Sequence, residues 1–253
     1  MGVTDADRLG ALLASHGSIL VFTGAGISTA SGIPDFRGPS GVWNTRRPIF
    51  YQDFMASVEA RRGYWQQKLE DNDRFGSAAP NEVHAAIVAL EAAGKVAKVV
   101  TQNVDGLHRA AGTSQSLLIE IHGTAAEIEC QSCGARSAPD EHFRRFADAG
   151  VPPDCDCGGH LKAATISFGQ QLRHGDLRDA FAAAEQCDLV VSLGSTLSVS
   201  PAADIPLTAA ARGVPYAIVN RGPTDHDGLA GVVLRVEGDV TEVVPRAVEL
   251  ALS

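Results

Sequence analysis

Six short, mainly apolar runs recur along the chain, at 19–22, 96–101, 117–121, 189–193, 216–220 and 232–236. They are continuous rather than alternating, the pattern of strands buried on both faces of a parallel sheet. Helical patterns lie between several of them. Residues 81–93 open after Pro80, place Val83, Ile87 and Leu90 on one stripe, and stop at Gly94. Residues 201–212 have Ser200 as the expected N-cap and Gly213 just past the end. This alternation predicts an α/β fold built on a doubly wound parallel sheet.

Two insertions interrupt the alternation. The first, 41–76, is rich in aromatic residues and arginine (Trp43, Arg46, Arg47, Tyr51, Phe54, Arg61, Arg62, Tyr64 and Trp65) and reads as a helical packing module. The second, 128–161, carries four of the five cysteines. The sheet is then expected from 1–40, 77–127 and 162–253, with both insertions belonging to one domain.

With 253 residues, 45% of them hydrophobic and 20% charged, the chain has the composition of a soluble globular domain with a large core. Its first residues lack the basic and apolar regions of an export signal, so a cytoplasmic location is expected. Position 6 is Ala, against myristoylation of Gly2. No apolar stretch approaches the roughly 20 residues of a membrane span. The net charge of −9 disfavours nucleic acid as a partner.

The first apolar run leads directly into Gly24-Ala25-Gly26-Ile27-Ser28 and then Thr29 to Gly38, with Ile33, Asp35, Phe36 and Arg37 in between. A strand running into Gly-x-Gly brings backbone close enough to hydrogen-bond phosphates. The dinucleotide fingerprint would need a third glycine where Thr29 stands, and an acidic residue about twenty positions on. A nucleotide site unsuited to ordinary hydride transfer is the reading.

The second run ends in Gln102-Asn103-Val104-Asp105-Gly106-Leu107-His108, on the carboxyl edge where doubly wound sheets bind ligands. Polar groups there suit a ribose and a carboxamide, although Asp105 would equally serve an Asx turn capping the next helix. His122 follows the third run; a histidine there is placed for proton transfer near neutral pH, yet a lone histidine is more often structural. Gly194-Ser195-Thr196, Asn220-Arg221 and Asp239-Val240 close later strands on the same edge.

Cys130-x-x-Cys133 and Cys155-x-Cys157 form two close pairs in a chain without an export signal, which points to metal rather than disulfides. Four thiolates close a tetrahedral zinc shell and leave no open position, so the ion is expected to be structural. The second pair is tight, which makes Cys155 the least secure ligand. Cys187 reads as a small packed residue.

These motifs, in this order, resemble the sirtuins, the NAD-consuming protein-lysine deacylases, over nearly the whole chain. The resemblance implies a bacterial member with a Rossmann-like sheet, a zinc-ribbon module at 128–161 and a helical insertion at 41–76. It implies NAD as co-substrate, one structural Zn2+ on Cys130, Cys133, Cys155 and Cys157, and catalysis by His122 as general base with Asn103. Cofactor binding would fall to Gly24, Ala25, Gly26, Ser28, Asp35, Phe36, Arg37, Gln102, Asn103, Asp105, Gly194, Ser195, Thr196, Asn220, Arg221, Asp239 and Val240, with 27–38 as a lid over the nicotinamide ribose. Ile166, Phe168, Gly169 and Val199 would hold the substrate peptide, in part by strand addition. Gln170 and Ser167 depart from the family, which usually has an acidic and a bulkier apolar residue there.

The implied reaction has the acyl-lysine carbonyl oxygen displace nicotinamide at C1′. His122 then takes a ribose hydroxyl proton, and water completes transfer to give free lysine and O-acyl-ADP-ribose. Arg47-Pro48-Ile49, Tyr51 to Phe54 and Arg61 to Trp65 look most like class II, the mitochondrial lipoamidase and ADP-ribosyltransferase type. The succinyl-selective branch carries Tyr-x-x-Arg to clamp a carboxylate, whereas Gln67 stands three after Tyr64, so no preference for acidic acyl groups is expected. Acylated-lysine proteins are the expected partners of a monomeric enzyme. The alternatives are mono-ADP-ribosyl transfer from the same NAD site and, outside catalysis, an NAD-sensing or zinc-ribbon binding module.

Overall fold

The chain builds half of its main sheet, leaves it to form a small lobe, and returns to complete it. The computed structural model describes residues 2–38 and 41–253, with the backbone alone at 43 and 73–75, so the side chain of Trp43 lies outside the described residues. Strands β1 (Ile19–Thr23), β2 (Val96–Thr101) and β3 (Leu118–Glu120) come first. Strands β4 (Gly123–Cys130), β5 (Arg136–Ser137) and β6 (Leu161–Thr165) form a separate antiparallel sheet in the order β5-β4-β6. Strands β7 (Leu189–Leu193), β8 (Tyr216–Asn220) and β9 (Val232–Glu237) then extend the first sheet to β3-β2-β1-β7-β8-β9, parallel throughout.

Successive side chains of a strand point to opposite faces, and both faces are covered. Ile19 and Val21 of β1 pack under α1 (Asp5–Ser15), α4 (Glu82–Ala92) and α9 (Val240–Leu252), which contribute Leu9, Ile87 and Val244. Leu20 and Phe22 pack on the other side with Ala180 of α7 (His174–Gln186) and Ile205 of α8 (Asp204–Ala211). A short α5 (Leu107–Ala111) follows β2. The strand order reverses its direction of growth beside β1, so the carboxyl ends of β1 and β7 border the crevice in which such sheets bind ligands.

The lobe joins both insertions through one core. Phe54 of α2 (Tyr51–Ala56) and Tyr64 and Trp65 of α3 (Val58–Ser77) pack with Ile128, Leu161 and two phenylalanines, Phe143 and Phe146, of α6 (Pro139–Ala149). Trp65 is fully buried, donates from Nε1 to the Leu161 carbonyl at 3.1 Å, and meets the Phe143 ring edge-on at 5.6 Å. Truncating such an aromatic residue costs about 3–5 kcal/mol.

Two expectations need correction. The helix expected at 201–212 begins only at Asp204 with Ala203 as its N-cap, because the Ser200 hydroxyl donates to the Asp204 carboxylate (3.0 Å) instead of accepting from a helix amide. The antiparallel sheet also reaches from Gly123 to Thr165, beyond the expected bounds of the cysteine insertion.

Candidate active site

At the carboxyl end of β1 the chain enters a 3₁₀ helix, Ala25–Ser31. The Gly24 amide donates to the Leu193 carbonyl at 3.0 Å and the Gly26 amide to the Gly194 carbonyl at 2.8 Å. A Cβ at Gly26 would lie 2.7 Å from the Gly194 Cα, and Gly194, at φ +62°, would meet the Ile27 nitrogen at 2.6 Å. The two turns therefore interlock backbone against backbone, which only glycine permits. This is a correction to the phosphate-cradle reading, since the Gly24 and Gly26 amides are spent on the neighbouring turn. Asn81, the N-cap of α4, fastens the same helix from outside, donating from Nδ2 to the Ile27 carbonyl (2.8 Å) and to Ser31 Oγ (2.9 Å).

Above these turns opens a cleft of about 580 Å³. Its wall includes Gly24, Ala25, Gly26, Asp35, Phe36 and Arg37 after β1, and Gln102, Asn103 and His122 after β2 and β3. Gly194, Ser195, Thr196, Val199, Asn220 and Arg221 after β7 and β8 line it too, as do Ile166, Phe168 and Gly169 after β6. The sequence-derived site residues thus converge, with four exceptions. Ser28 and Asp105 stand behind the wall: Asn103 Nδ2 donates to Ser28 Oγ (3.1 Å), whose hydroxyl donates to Asp105 Oδ2 (2.7 Å). Asp105 Oδ1 also accepts from the Leu107 amide at 2.9 Å, so one carboxylate caps α5 and braces Ser28. Asp239 caps α9 and reaches the cleft only through its ion pair with Arg221, and the Val240 side chain belongs to the core.

His122 Nδ1 lies 3.0 Å from the Gln102 carbonyl. A carbonyl only accepts, so Nδ1 carries the proton and Nε2 keeps its lone pair. Burial lowers the His122 pKa; the Gln102 carbonyl opposes that shift and nearby Arg37 adds to it. The ring is therefore a neutral proton acceptor at pH 7. The Gln102 side chain is fixed in turn by donating to Ser195 Oγ at 2.8 Å.

On the lobe side, the Phe168 carbonyl accepts from the Tyr51 amide (2.8 Å) and the Gly169 carbonyl from Gln52 Nε2 (2.9 Å). Gln170 Oε1 accepts from the Ser167 amide at 3.1 Å and lies 3.5 Å from Lys162 Nζ. Lys162 is buried, and its other acceptors are the Ala163 and Thr165 carbonyls. Burial pulls its pKa down to about 7.

At the tip of the lobe the Sγ atoms of Cys130, Cys133, Cys155 and Cys157 all lie within 4.8 Å of one another. Cys133 and Cys155 are 3.8 Å apart and Cys130 and Cys157 3.5 Å. Sulfurs bound at about 2.3 Å in a tetrahedron stand close to this spacing, so four thiolates here fit one closed zinc site. The tight pair thus brings Cys155 in with the other three. Cys187 is buried away from the cluster, in the α7–α8 core.

Residues 24–201 match the model of the Sir2 family. The chain belongs to the Sir2 family. It is 42% identical over 229 residues to NAD-dependent protein deacetylase 1 of Bradyrhizobium diazoefficiens, covering 90% of each chain. It is 40% identical over 230 residues to an NAD-dependent protein deacetylase of Rhodopseudomonas palustris, covering 90% of this chain and 91% of the relative. Among solved structures, a Sir2 complex with a p53 peptide and NAD+ superposes with a TM-score of 0.85 at 31% identity, covering 98% of both chains.

In this Sir2 chain, sequence reasoning missed part of the lobe wall. Tyr64 and Gln67 were singled out, but Lys68, which lines the same cleft, was not. The available signal was helical spacing, since positions i, i+3 and i+4 share a face.

Proposed function

We propose that this Sir2 protein removes acyl groups, acetyl among them, from lysine side chains of proteins, consuming NAD and giving nicotinamide, O-acyl-ADP-ribose and free lysine. The observation that carries the reading is His122, kept neutral by burial and oriented by the Gln102 carbonyl, in one cleft with Asn103 and the 166–169 segment. The relatives named as NAD-dependent protein deacetylases, 40–42% identical over most of the chain, support it. Nothing in the cleft favours ADP-ribosyl transfer to protein over deacylation.

Bound NAD supplies an electrophilic C1′ with nicotinamide as its leaving group. The protein's own residues orient, shield and move protons. Asn103, braced by Ser28 and Asp105, would offer its amide to the bound ribose. His122 accepts a ribose hydroxyl proton at Nε2, while the Gln102 carbonyl on Nδ1 steadies the imidazolium that results, a role worth about 10²–10⁴ in rate. Phe36 and Ile166 keep water from the reacting centre, and Arg37 and Arg221 offer positive charge to the pyrophosphate. Ser195, Thr196 and Asn220 serve the adenosine half, and Ile166, Phe168, Gly169 and Val199 the peptide. Cys130, Cys133, Cys155 and Cys157 would hold zinc with no position left for substrate, so the ion fastens the lobe.

The segments 47–49, 51–54 and 61–65 support a class II assignment, and we assign a monomer acting in the cytoplasm. Incubation of acetyl-lysine peptide with NAD tests the function: mass spectrometry should find deacetylated peptide and O-acetyl-ADP-ribose in the wild type, and about 10²–10⁴ less of both with His122→Ala. Label from the adenylate of NAD retained on protein, without deacylation, would favour ADP-ribosyl transfer instead.

A further inference from the structure

After β6 the chain makes one tight turn at the cleft before α7. The Gln170 amide donates to the Ser167 carbonyl at 3.0 Å, and Gly169 takes φ +79° at the third position of the turn, which favours glycine. The tip, Phe168 and Gly169, is exposed, whereas Ser167 and Gln170 are half-buried. Two bonds from α2 hold the carbonyls of the tip. The base is held by a single side chain: Gln170 Oε1 accepts from the Ser167 amide at 3.1 Å, so the two ends of the turn are joined twice.

The other end of that carboxamide leaves the turn. Gln170 Nε2 donates to Gln131 Oε1 at 3.4 Å. Gln131 follows Cys130 inside the Cys130-x-x-Cys133 knuckle. Its own Nε2 donates to the Glu129 carbonyl (3.0 Å) and its backbone amide to the His160 carbonyl (2.9 Å). With Nε2 spent on an acceptor, the atom that Gln131 presents to position 170 is Oε1, which takes only a donor. A carboxylate at 170 would meet it with another oxygen and lose this bond. Lys162 completes the arrangement. Gln170 Oε1, 3.5 Å from Nζ, joins the Ala163 and Thr165 carbonyls around it, and the Glu129 carboxylate favours its charged form.

We infer that Gln170 is a positioning residue for the acyl-lysine peptide, tying the Ser167–Gly169 turn that would receive it to the cysteine knuckle through Gln131. The inference rests on the deacylase reading and deepens it. The link ends on the turn, so it acts on peptide affinity. The start of the segment is fixed separately, by the Ile166 amide donating to the His122 carbonyl at 2.7 Å, and His122 itself is oriented by Gln102.

The test measures nicotinamide release against peptide and against NAD for wild type, Gln170→Ala, Gln170→Glu, Gln131→Ala and the Gln131→Ala/Gln170→Glu double variant. Peptide Kd is read separately by fluorescence anisotropy. Gln170→Ala should raise the peptide KM and Kd by about three- to tenfold, with kcat and the KM for NAD within about twofold of wild type. Gln170→Glu keeps an acceptor for Ser167 but no donor for Gln131, and should fall between the two. Gln131→Ala should weaken peptide binding in the wild-type background and leave Gln170→Glu unchanged, a coupling that a purely structural role would not produce. This cycle also keeps the test open if Gln170→Ala does not fold. An unchanged peptide Kd in Gln170→Ala, an equal rise in the KM for NAD, or the same effect of Gln131→Ala in both backgrounds overturns the inference while leaving deacylation standing. No release of nicotinamide with any acyl-lysine peptide overturns the deacylase reading itself.

Discussion

The Gly26 amide donates to the Gly194 carbonyl across 2.8 Å, so close that no side chain fits between the two turns. The glycine signature after β1 and the Gly-Ser-Thr turn after β7 are the two halves of one joint at the crevice of the sheet. Gly26→Ala should force that joint open, costing about 1–3 kcal/mol and most of the affinity for NAD. Gly76→Ala, where an added Cβ meets nothing within 4 Å, should instead stabilise by about 0.4–1 kcal/mol. Thermal melting and NAD titration separate the two; equal melting shifts would contradict the joint.

Burial of His122, which outweighs its hydrogen bond to the Gln102 carbonyl, fixes the sign of the pH dependence. Burial lowers the His122 pKa, so the ring stays neutral and able to accept a proton as pH falls to 6.5. The acid limb of kcat/KM, which reports the free enzyme, should therefore have its midpoint below 6.5. A midpoint above 6.5 would mean that another group is titrating.

The four cysteines predict one zinc per chain by elemental analysis, and loss of that zinc on Cys155→Ser. Because Cys130 packs in the core that holds Trp65, removing the metal should lower the melting temperature and shift tryptophan fluorescence. Cys187→Ser, remote from the cluster, should keep its zinc. Retention of full zinc by Cys155→Ser would exclude that residue from the site.

Lys162 predicts an alkaline gain in stability. Its folded pKa is about 7 against an ordinary 10.5, so between those values the unfolded chain holds the extra proton, and its contribution to stability rises with pH across that window. Gln170→Glu places a carboxylate beside Nζ, keeps the lysine charged when folded, and should flatten this slope relative to wild type. Parallel slopes in the two proteins, from urea titrations at pH 7 and pH 9, would contradict the assignment.

What was legible in the sequence follows from how local each signal is. Strands at 189–193 and 216–220 emerge with the expected bounds because residues buried on both faces leave a run that is apolar but for Ser192 and the terminal Asn220. The convergence of Asn103, His122 and Gly194 was also readable, since all sit at strand ends on one edge. The shared core of the two insertions was not, because Trp65 meets Leu161 across 96 residues with no local trace. Ser28 and Asp105 are expected from sequence to touch the cofactor, but only side-chain geometry shows them one layer behind Asn103.

The central claim, NAD-dependent deacylation with His122 as the base, is tested most directly by the stoichiometry of a single reaction. Nicotinamide and free lysine should form from an acyl-lysine peptide and NAD in equal amounts with the wild type, and both should fall by about 10²–10⁴ with His122→Ala. No nicotinamide from any acyl-lysine peptide, or full turnover by His122→Ala, would contradict the account.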